Sequence, residues 1–211
     1  MDTNTSRKPL AIAASLLSDI FSPLLVPTFG MAVALFLTRL HYLPLGVRLW
    51  ALFGIFAITC LIPLTTILIL MKAGKVSDAS ISDRKQRPIP YAVSILCYLG
   101  ATFYVRYMGA PHWLEMFFLG AAAVSAISLI ITYVWKISAH TGAVGGLASI
   151  IFWLACHGYI ESHGLVWASA GFLLVGLISW ARLYLNRHTL GQVAAGAALS
   201  FTIVYIIISF V

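Results

Sequence analysis

The sequence predicts an all-helical integral membrane bundle with about seven transmembrane helices. Of its 211 residues, 61% are hydrophobic and only 9% are charged, and the mean hydropathy is +0.98, far from the balance of a soluble domain. The apolar residues fall into runs of about 20, the length that crosses a bilayer as a helix. We therefore expect a single transmembrane domain over residues 1–211, with no soluble domain.

Seven apolar stretches fit transmembrane helices. We expect a first span over residues 10–37, kinked at Pro23 and Pro27, because proline removes a backbone hydrogen bond within a helix. The other expected spans are 50–71, 91–108, 113–135, 141–159, 165–185 and 189–211. Aromatic side chains, which anchor at lipid headgroups, stand at four of the span ends: Trp50, Tyr91, Trp113 and Trp135.

Seven crossings place three polar clusters, residues 83–88, 136–142 and 182–192, on one membrane face, which we call the motif face. Ten of the 13 Lys and Arg residues fall on this face, so the positive-inside rule makes it cytoplasmic. The net charge of +7 suits an anionic lipid surface, and no pattern indicates nucleic-acid binding. We expect a multi-pass protein of the bacterial cytoplasmic membrane.

The three clusters carry groups that suit a phosphorylated lipid headgroup. Arg87 and Arg182 can each hold phosphate oxygens through two parallel N–H donors. Helices that begin in the second and third clusters would add free backbone N–H groups and a positive dipole end. We expect His140 and His188 to titrate near neutrality, so that one can attack phosphorus while the other protonates the leaving oxygen.

In chain order, the clusters resemble the three motifs of the type 2 phosphatidic acid phosphatase superfamily, which includes membrane lipid phosphatases. Those motifs read Lys-x6-Arg-Pro, Pro-Ser-Gly-His and Ser-Arg-x5-His-x3-Asp. Their counterparts here are Arg87-Pro88, Ser138-x-His140 and Arg182-x5-His188. The resemblance covers about residues 80–192. It implies a phosphatase that needs no metal or cofactor and acts on a phosphomonoester or diphosphate of a phospholipid or prenyl lipid.

The resemblance also implies a role for each matching residue. His188 would be the nucleophile that forms a phosphohistidine, and His140 would be the acid for the departing group. Arg87 and Arg182 would bind the phosphate oxygens, and Ser138 would donate a hydrogen bond to them. Water would then hydrolyse the phosphohistidine.

The lysine of the first motif has no direct counterpart. It would fall at Ser80, so another cation must supply its charge. We expect Arg84 to do so, since it lies one helical turn before the arginine of the same motif. Lys85 and Lys136 are the next candidates.

The aspartate of the third motif is replaced by Gln192, and the glycine of the second by Ala139. An aspartate four residues after the nucleophilic histidine would share its helix face, orient the imidazole and raise its basicity. Gln192 can accept the same hydrogen bond but adds no charge. Asp19 and Asp83 are candidates for the missing carboxylate, because an acid in or beside a membrane span is costly without a role.

Two other functions fit parts of the sequence. Gln192 and the missing lysine also suit a catalytically degenerate protein that binds or transports phosphate lipids. Asp78, Asp83 and Arg87 loosely resemble the first aspartate motif of membrane prenyltransferases, where carboxylates hold Mg²⁺ on a prenyl diphosphate. That family also needs a second aspartate-rich loop, and the six acidic residues of the sequence do not form one. Mg²⁺ dependence would distinguish a prenyltransferase from the phosphatase and from the degenerate binder.

Overall fold

The structure, a computed structural model, describes residues 3–210, with side chains from residue 9 onward, and is all-helical over that range. Its α-helices, in chain order, are α1 (Thr3–Ile20), α2 (Val26–Leu37), α3 (Leu45–Phe56), α4 (Ile62–Lys72), α5 (Pro88–Tyr107), α6 (His112–Val134), α7 (Ala139–Cys156), α8 (Gly164–Tyr184) and α9 (Leu190–Ile208). Within residues 3–210 the one strand-like contact is a bridge between Thr38 and Ile160. The expected helical fold is confirmed.

Within the described residues, six helical segments are long and apolar enough to cross a membrane: α5 to α9, and the continuous segment Leu45–Lys72 formed by α3 and α4. A π-helical turn, Ala57–Leu61, joins α3 to α4. Pro63 lies in the first turn of α4 and has no N–H to donate back along the helix. The missing donor is accommodated by the wider π-helical turn, in which the backbone N–H of Ile62 donates to the carbonyl oxygen of Ala57.

The prediction of one continuous first span over residues 10–37 is wrong. The chain forms two shorter helices there, α1 and α2, separated by residues 21–25. Pro23 accounts for the break, because proline disfavours the helical conformation of the residue before it. Pro27 lies in the first turn of α2, where a missing N–H needs no partner. With 12 residues, α2 is about 18 Å long, shorter than the hydrocarbon core of a bilayer.

The directions of the helices bring the three polar clusters to one end of the bundle. At that end α5, α7 and α9 begin, and α6 and α8 end. At the other end, the last turn of α2 meets the loop between α7 and α8 through the bridge of Thr38 to Ile160. Which end faces the cytoplasm stays a prediction. The ten Lys and Arg residues assigned to the motif face include Arg7 and Lys8, whose side chains lie outside the described residues.

Helix α7 lies at the centre of the bundle and packs against α2, α8 and α9. Twelve of its 18 residues are buried. Small residues let α7 and α9 approach closely: a methyl group added at Gly145 would lie 2.6 Å from the carbonyl oxygen of Ala197. This contact places the second polar cluster beside the third.

Candidate functional site

Arg87 connects the first polar cluster to the second. It precedes α5, and its side chain is buried. Its Nε donates to the carbonyl oxygen of Ile81 at 3.0 Å, and its Nη1 donates to that of Ile137 at 3.0 Å. Because Ile137 immediately precedes Ser138, these bonds fix the guanidinium group beside the start of α7.

Ser138 caps the first turn of α7 and is almost fully buried. Its Oγ accepts a hydrogen bond from the backbone N–H of Thr141 at 3.4 Å, which leaves the hydroxyl proton free to be donated. Its own backbone N–H donates to the carbonyl oxygen of Gln192 at 3.3 Å. The start of α7 is therefore bonded to the first turn of α9. A methyl group at Gly196 would lie only 2.5 Å from the Ser138 carbonyl oxygen.

Arg182 lies in the last turn of α8 and is 7% exposed. Its Nε is buried and has no hydrogen-bond partner among the described residues. The charges that act on it belong to Arg187, Arg87 and Asp19. A buried cation without a close counter-ion is unfavourable, so this guanidinium group is suited to receive an anion.

Carboxylates do not neutralise this cation cluster directly. Among the described side chains, residues 9–210, the ion pairs join Arg39 to Glu161 and His112 to Glu115. Both pairs lie near the other end of the bundle. The motif face therefore keeps a net positive field that favours a phosphate group.

His188 lies just before α9 and is 9% exposed. Its Nδ1 is 3.0 Å from Oε1 of Gln192, and the same Oε1 accepts the backbone N–H of Thr189 at 3.2 Å. An atom that accepts from an N–H must be the amide oxygen, so Nδ1 of His188 must be the donor. The proton therefore lies on Nδ1, and Nε2 keeps its lone pair.

The surroundings of His188 favour its neutral form. Burial lowers the pKa of His188 to about 4, the hydrogen bond to Gln192 opposes this shift, and the positive charges of Arg182 and Lys136 add to it. At pH 7 the imidazole is thus uncharged, and the expectation that His188 titrates near neutrality is wrong.

His140 lies in the first turn of α7 and is half-buried. The charges of Arg182 and Arg87 act on it, as does His188, and its ring lies beside the backbone of Ser18 at the end of α1. The two candidate catalytic histidines are therefore brought into one cluster. The role of α1 as a wall of this cluster was not predicted, although the Ser22-Pro23 pair is a signal for the turn that ends α1 there.

Arg84, the first candidate for the missing lysine, contacts a different part of the molecule. Its Nη1 donates to the carbonyl oxygens of Thr132 (3.2 Å) and Tyr133 in the last turn of α6. Cations are favoured at helix C-termini, where carbonyls lack partners. Arg84 therefore stabilises the end of α6. Lys85, the second candidate, is exposed.

Lys136 lies within the cation cluster. It is half-buried in the loop between α6 and α7. Burial lowers the pKa of Lys136, and repulsion from Arg87, Arg182 and Arg187 lowers it further. Of the three candidates for the missing lysine, Lys136 is the one whose charge acts on His188.

The two candidate carboxylates do not occupy the place of the missing aspartate. Asp83 accepts the backbone N–H of Lys85 at 3.0 Å and caps a short 3₁₀ turn. Asp19 is exposed, and its charge acts on Arg182. The partner of His188 at Nδ1 is Gln192 itself.

A cavity of about 100 Å³ lies beside this site. It begins at Ser138 and Ala139 and is bounded by α2, α5, α6, α7 and α9. The two arginines and two histidines of the site do not line it. The cavity therefore adjoins the charged cluster and is separate from it.

No group of three or more His, Cys, Asp or Glu side chains that could hold a metal ion occurs among the described residues. The chain matches no known family model, no curated protein and no solved structure. The function must therefore be argued from the chemistry of the site.

Proposed function

We propose that the protein is a membrane lipid phosphatase that hydrolyses a phosphomonoester or diphosphate through a phosphohistidine at His188. The observation that carries this proposal is the neutral, Nδ1-protonated His188 beside two buried arginines without carboxylate partners. A nucleophile with a free lone pair and an unfilled anion site are the two parts that phosphoryl transfer requires.

Substrate binding neutralises the cation cluster. The phosphate oxygens lie between Arg87 and Arg182, whose guanidinium groups offer planar pairs of donors. Ser138 adds its hydroxyl proton, and Lys136 adds a mobile positive charge. The free N–H groups at the starts of α7 and α9 contribute further positive potential.

His188 then attacks through Nε2. As the N–P bond forms, the bond from phosphorus to the leaving oxygen breaks, and its electron pair moves to that oxygen. His140, which is protonated when the negative charge of the bound phosphate offsets the nearby arginines, gives its proton to that oxygen. Positive charge develops on the His188 ring, and the hydrogen bond from Nδ1 to Gln192 stabilises it. In the second half of the reaction water gives a proton to His140 and attacks phosphorus, and the N–P electron pair returns to Nε2.

A catalytically degenerate phosphate-lipid binder is the second candidate, and one observation favours it. The partner of His188 is a neutral amide, which stabilises a developing imidazolium less than a carboxylate would. The prenyltransferase alternative has less support, because Asp78 is bonded to the side chain and backbone of Ser82 and Asp83 to the backbone of Lys85.

Phosphate release by the purified protein in detergent, without added metal, tests the proposal. The substrates are phosphatidic acid, phosphatidylglycerol phosphate and prenyl diphosphates. We expect vanadate-sensitive release that is lost in His188→Ala. It should persist in His157→Ala, whose imidazole is bonded to the carbonyl of Trp153 near the opposite end of the bundle. Binding of these lipids without release would favour the degenerate binder, and release that depends on Mg²⁺ would favour the prenyltransferase class.

A further inference from the structure

The cavity beside Ser138 lies between helices of the bundle and is partly open. All of its lining residues are buried or half-buried, and none of them carries a charge. Ser94, one of the polar lining residues, donates its hydroxyl to the carbonyl oxygen of Pro90 at 2.9 Å. An occupant of this cavity must therefore be uncharged.

The lining changes from polar to apolar along the cavity. Near the motif face the wall includes Ser138 and Ser128, and at the far end it consists of Phe117, Leu147 and Val204. At 1.5 Å per helical residue, the distance along α7 from Ser138 to Leu147 is about 13 Å. The cavity is therefore long and narrow, with its polar end next to the cations.

Phe117 lines the apolar end of the cavity. Its ring is 4% exposed and packs against α2 at Gly30, which has no side chain. A methyl group added at Gly30 would lie 2.6 Å from Cζ of Phe117 and 3.8 Å from Cδ1 of Leu147. The absence of a side chain at Gly30 is thus what leaves room for the ring in this position.

We propose that this cavity binds the hydrocarbon chain of the substrate, that it takes one unbranched chain, and that Phe117 limits the chain length. The identity of the bound headgroup rests on the proposed phosphatase function. The polarity of the wall matches an amphiphile, with phosphate at the cations and hydrocarbon at Phe117. A volume of about 100 Å³ has room for roughly seven to ten water-sized groups. Two acyl chains side by side do not fit, so the cavity takes one chain of the substrate.

Photolabelling tests where the chain lies without requiring turnover. The probe is a ten-carbon alkyl phosphonate, which cannot be hydrolysed at its C–P bond, with a diazirine at the chain end and the protein in nanodiscs. We expect the label on the far-end wall, at Phe117, Leu147 or Val204, and we expect vanadate to suppress it. Labelling confined to lipid-facing side chains such as Ile130 and Leu173, which are 68% and 64% exposed, would overturn the proposal.

Chain-length profiles of hydrolysis test the role of Phe117. Alkyl monophosphates of 8 to 16 carbons are compared in the wild type, in Phe117→Leu and Phe117→Ala, and in Phe118→Ala as the matched control. Phe118 is the neighbouring ring, fully buried, and it does not line the cavity. We expect kcat/KM to fall about tenfold beyond roughly ten carbons in the wild type and in Phe118→Ala, because an overlong chain meets a close-packed wall. Both Phe117 variants should move this limit to longer chains.

The two experiments separate the chain site from the phosphatase proposal. Vanadate-sensitive labelling of the far-end wall without any hydrolysis would support the chain site and contradict the phosphatase. Hydrolysis with the same chain-length profile in the Phe117 and Phe118 variants would contradict the chain site and leave the phosphatase standing.

Discussion

Replacing Gln192 by glutamate should move the acid limit of the reaction to higher pH. In the wild type His188 has a pKa of about 4, so its lone pair is available through most of the acid range. The substitution places a negative charge about 3.0 Å from Nδ1 of His188. An opposite charge at this distance raises a histidine pKa by roughly 1 to 3 units, to about 5 to 7, which is about 1.4 to 4 kcal/mol in favour of the imidazolium.

The pH profile of kcat/KM reports this change, because it follows the ionisation of the free enzyme. Protonated His188 cannot attack, so activity is lost as the pH falls through its pKa. We expect an acid limb near pH 4 in the wild type and between about pH 5 and 7 in Gln192→Glu. Both proteins are measured with the same substrate, so the ionisation of the substrate phosphate affects both profiles equally.

The substitution should leave the fold intact. Oε1 of Gln192 accepts the N–H of Thr189, and glutamate is favoured at this third position of a helix. Gln86→Glu is the matched control, because Gln86 accepts the N–H of Ser77 at 2.9 Å on the same membrane face and does not contact His188. An acid limb that stays in place, or that moves equally in both variants, would refute the assignment of Gln192 as the positioning partner of the nucleophile.

Three further predictions concern the charges and helix contacts around the site. Lys136→Met should lower kcat/KM by roughly 10-fold to 100-fold, the effect of losing one charged contact to phosphate, whereas Lys85→Met should leave it near the wild-type value. Arg84→Gln should lower Tm by about 2–4 °C, since it weakens the end of α6 by about 1 kcal/mol. A lower Tm in a thermal unfolding experiment, together with wild-type phosphate release, would confirm the structural role of Arg84. Gly196→Ala should abolish phosphate release and lower Tm, because its methyl group meets a backbone carbonyl of α7 at 2.5 Å. In Gly191→Ala the nearest atom is an ordinary 3.8 Å away, so equal losses in both variants would contradict that account.

The five later helices could be predicted from sequence to within a few residues because each is an unbroken apolar run. The first span could not, since hydropathy alone does not distinguish a kink from a break. The chain is non-helical at Pro23, and α2 begins at Val26, whereas Pro63 is accommodated by a π-helical turn within a continuous segment. Which of these happens depends on how neighbouring helices pack.

The candidate site could be predicted in part, because the motif residues follow one another at characteristic spacings. The four-residue step from His188 to Gln192 indicated their contact, which the structure contains. The positions of the other cations depend on tertiary contacts. Arg84 bonds to carbonyls 48 and 49 residues away, and local sequence gives no sign of this. The cavity is likewise formed by five helices distant in sequence.

Trapping the phosphorylated enzyme tests the central claim most directly. The protein is mixed with a substrate carrying ³²P at its terminal phosphate, quenched rapidly in alkali and digested for mass spectrometry. The proposed mechanism predicts a phosphorylated His188 that forms before phosphate is released, is absent in His188→Ala, and is chased by unlabelled substrate. Rapid phosphate release with no phosphorylated His188 at any time, or with label on a different residue, would contradict it.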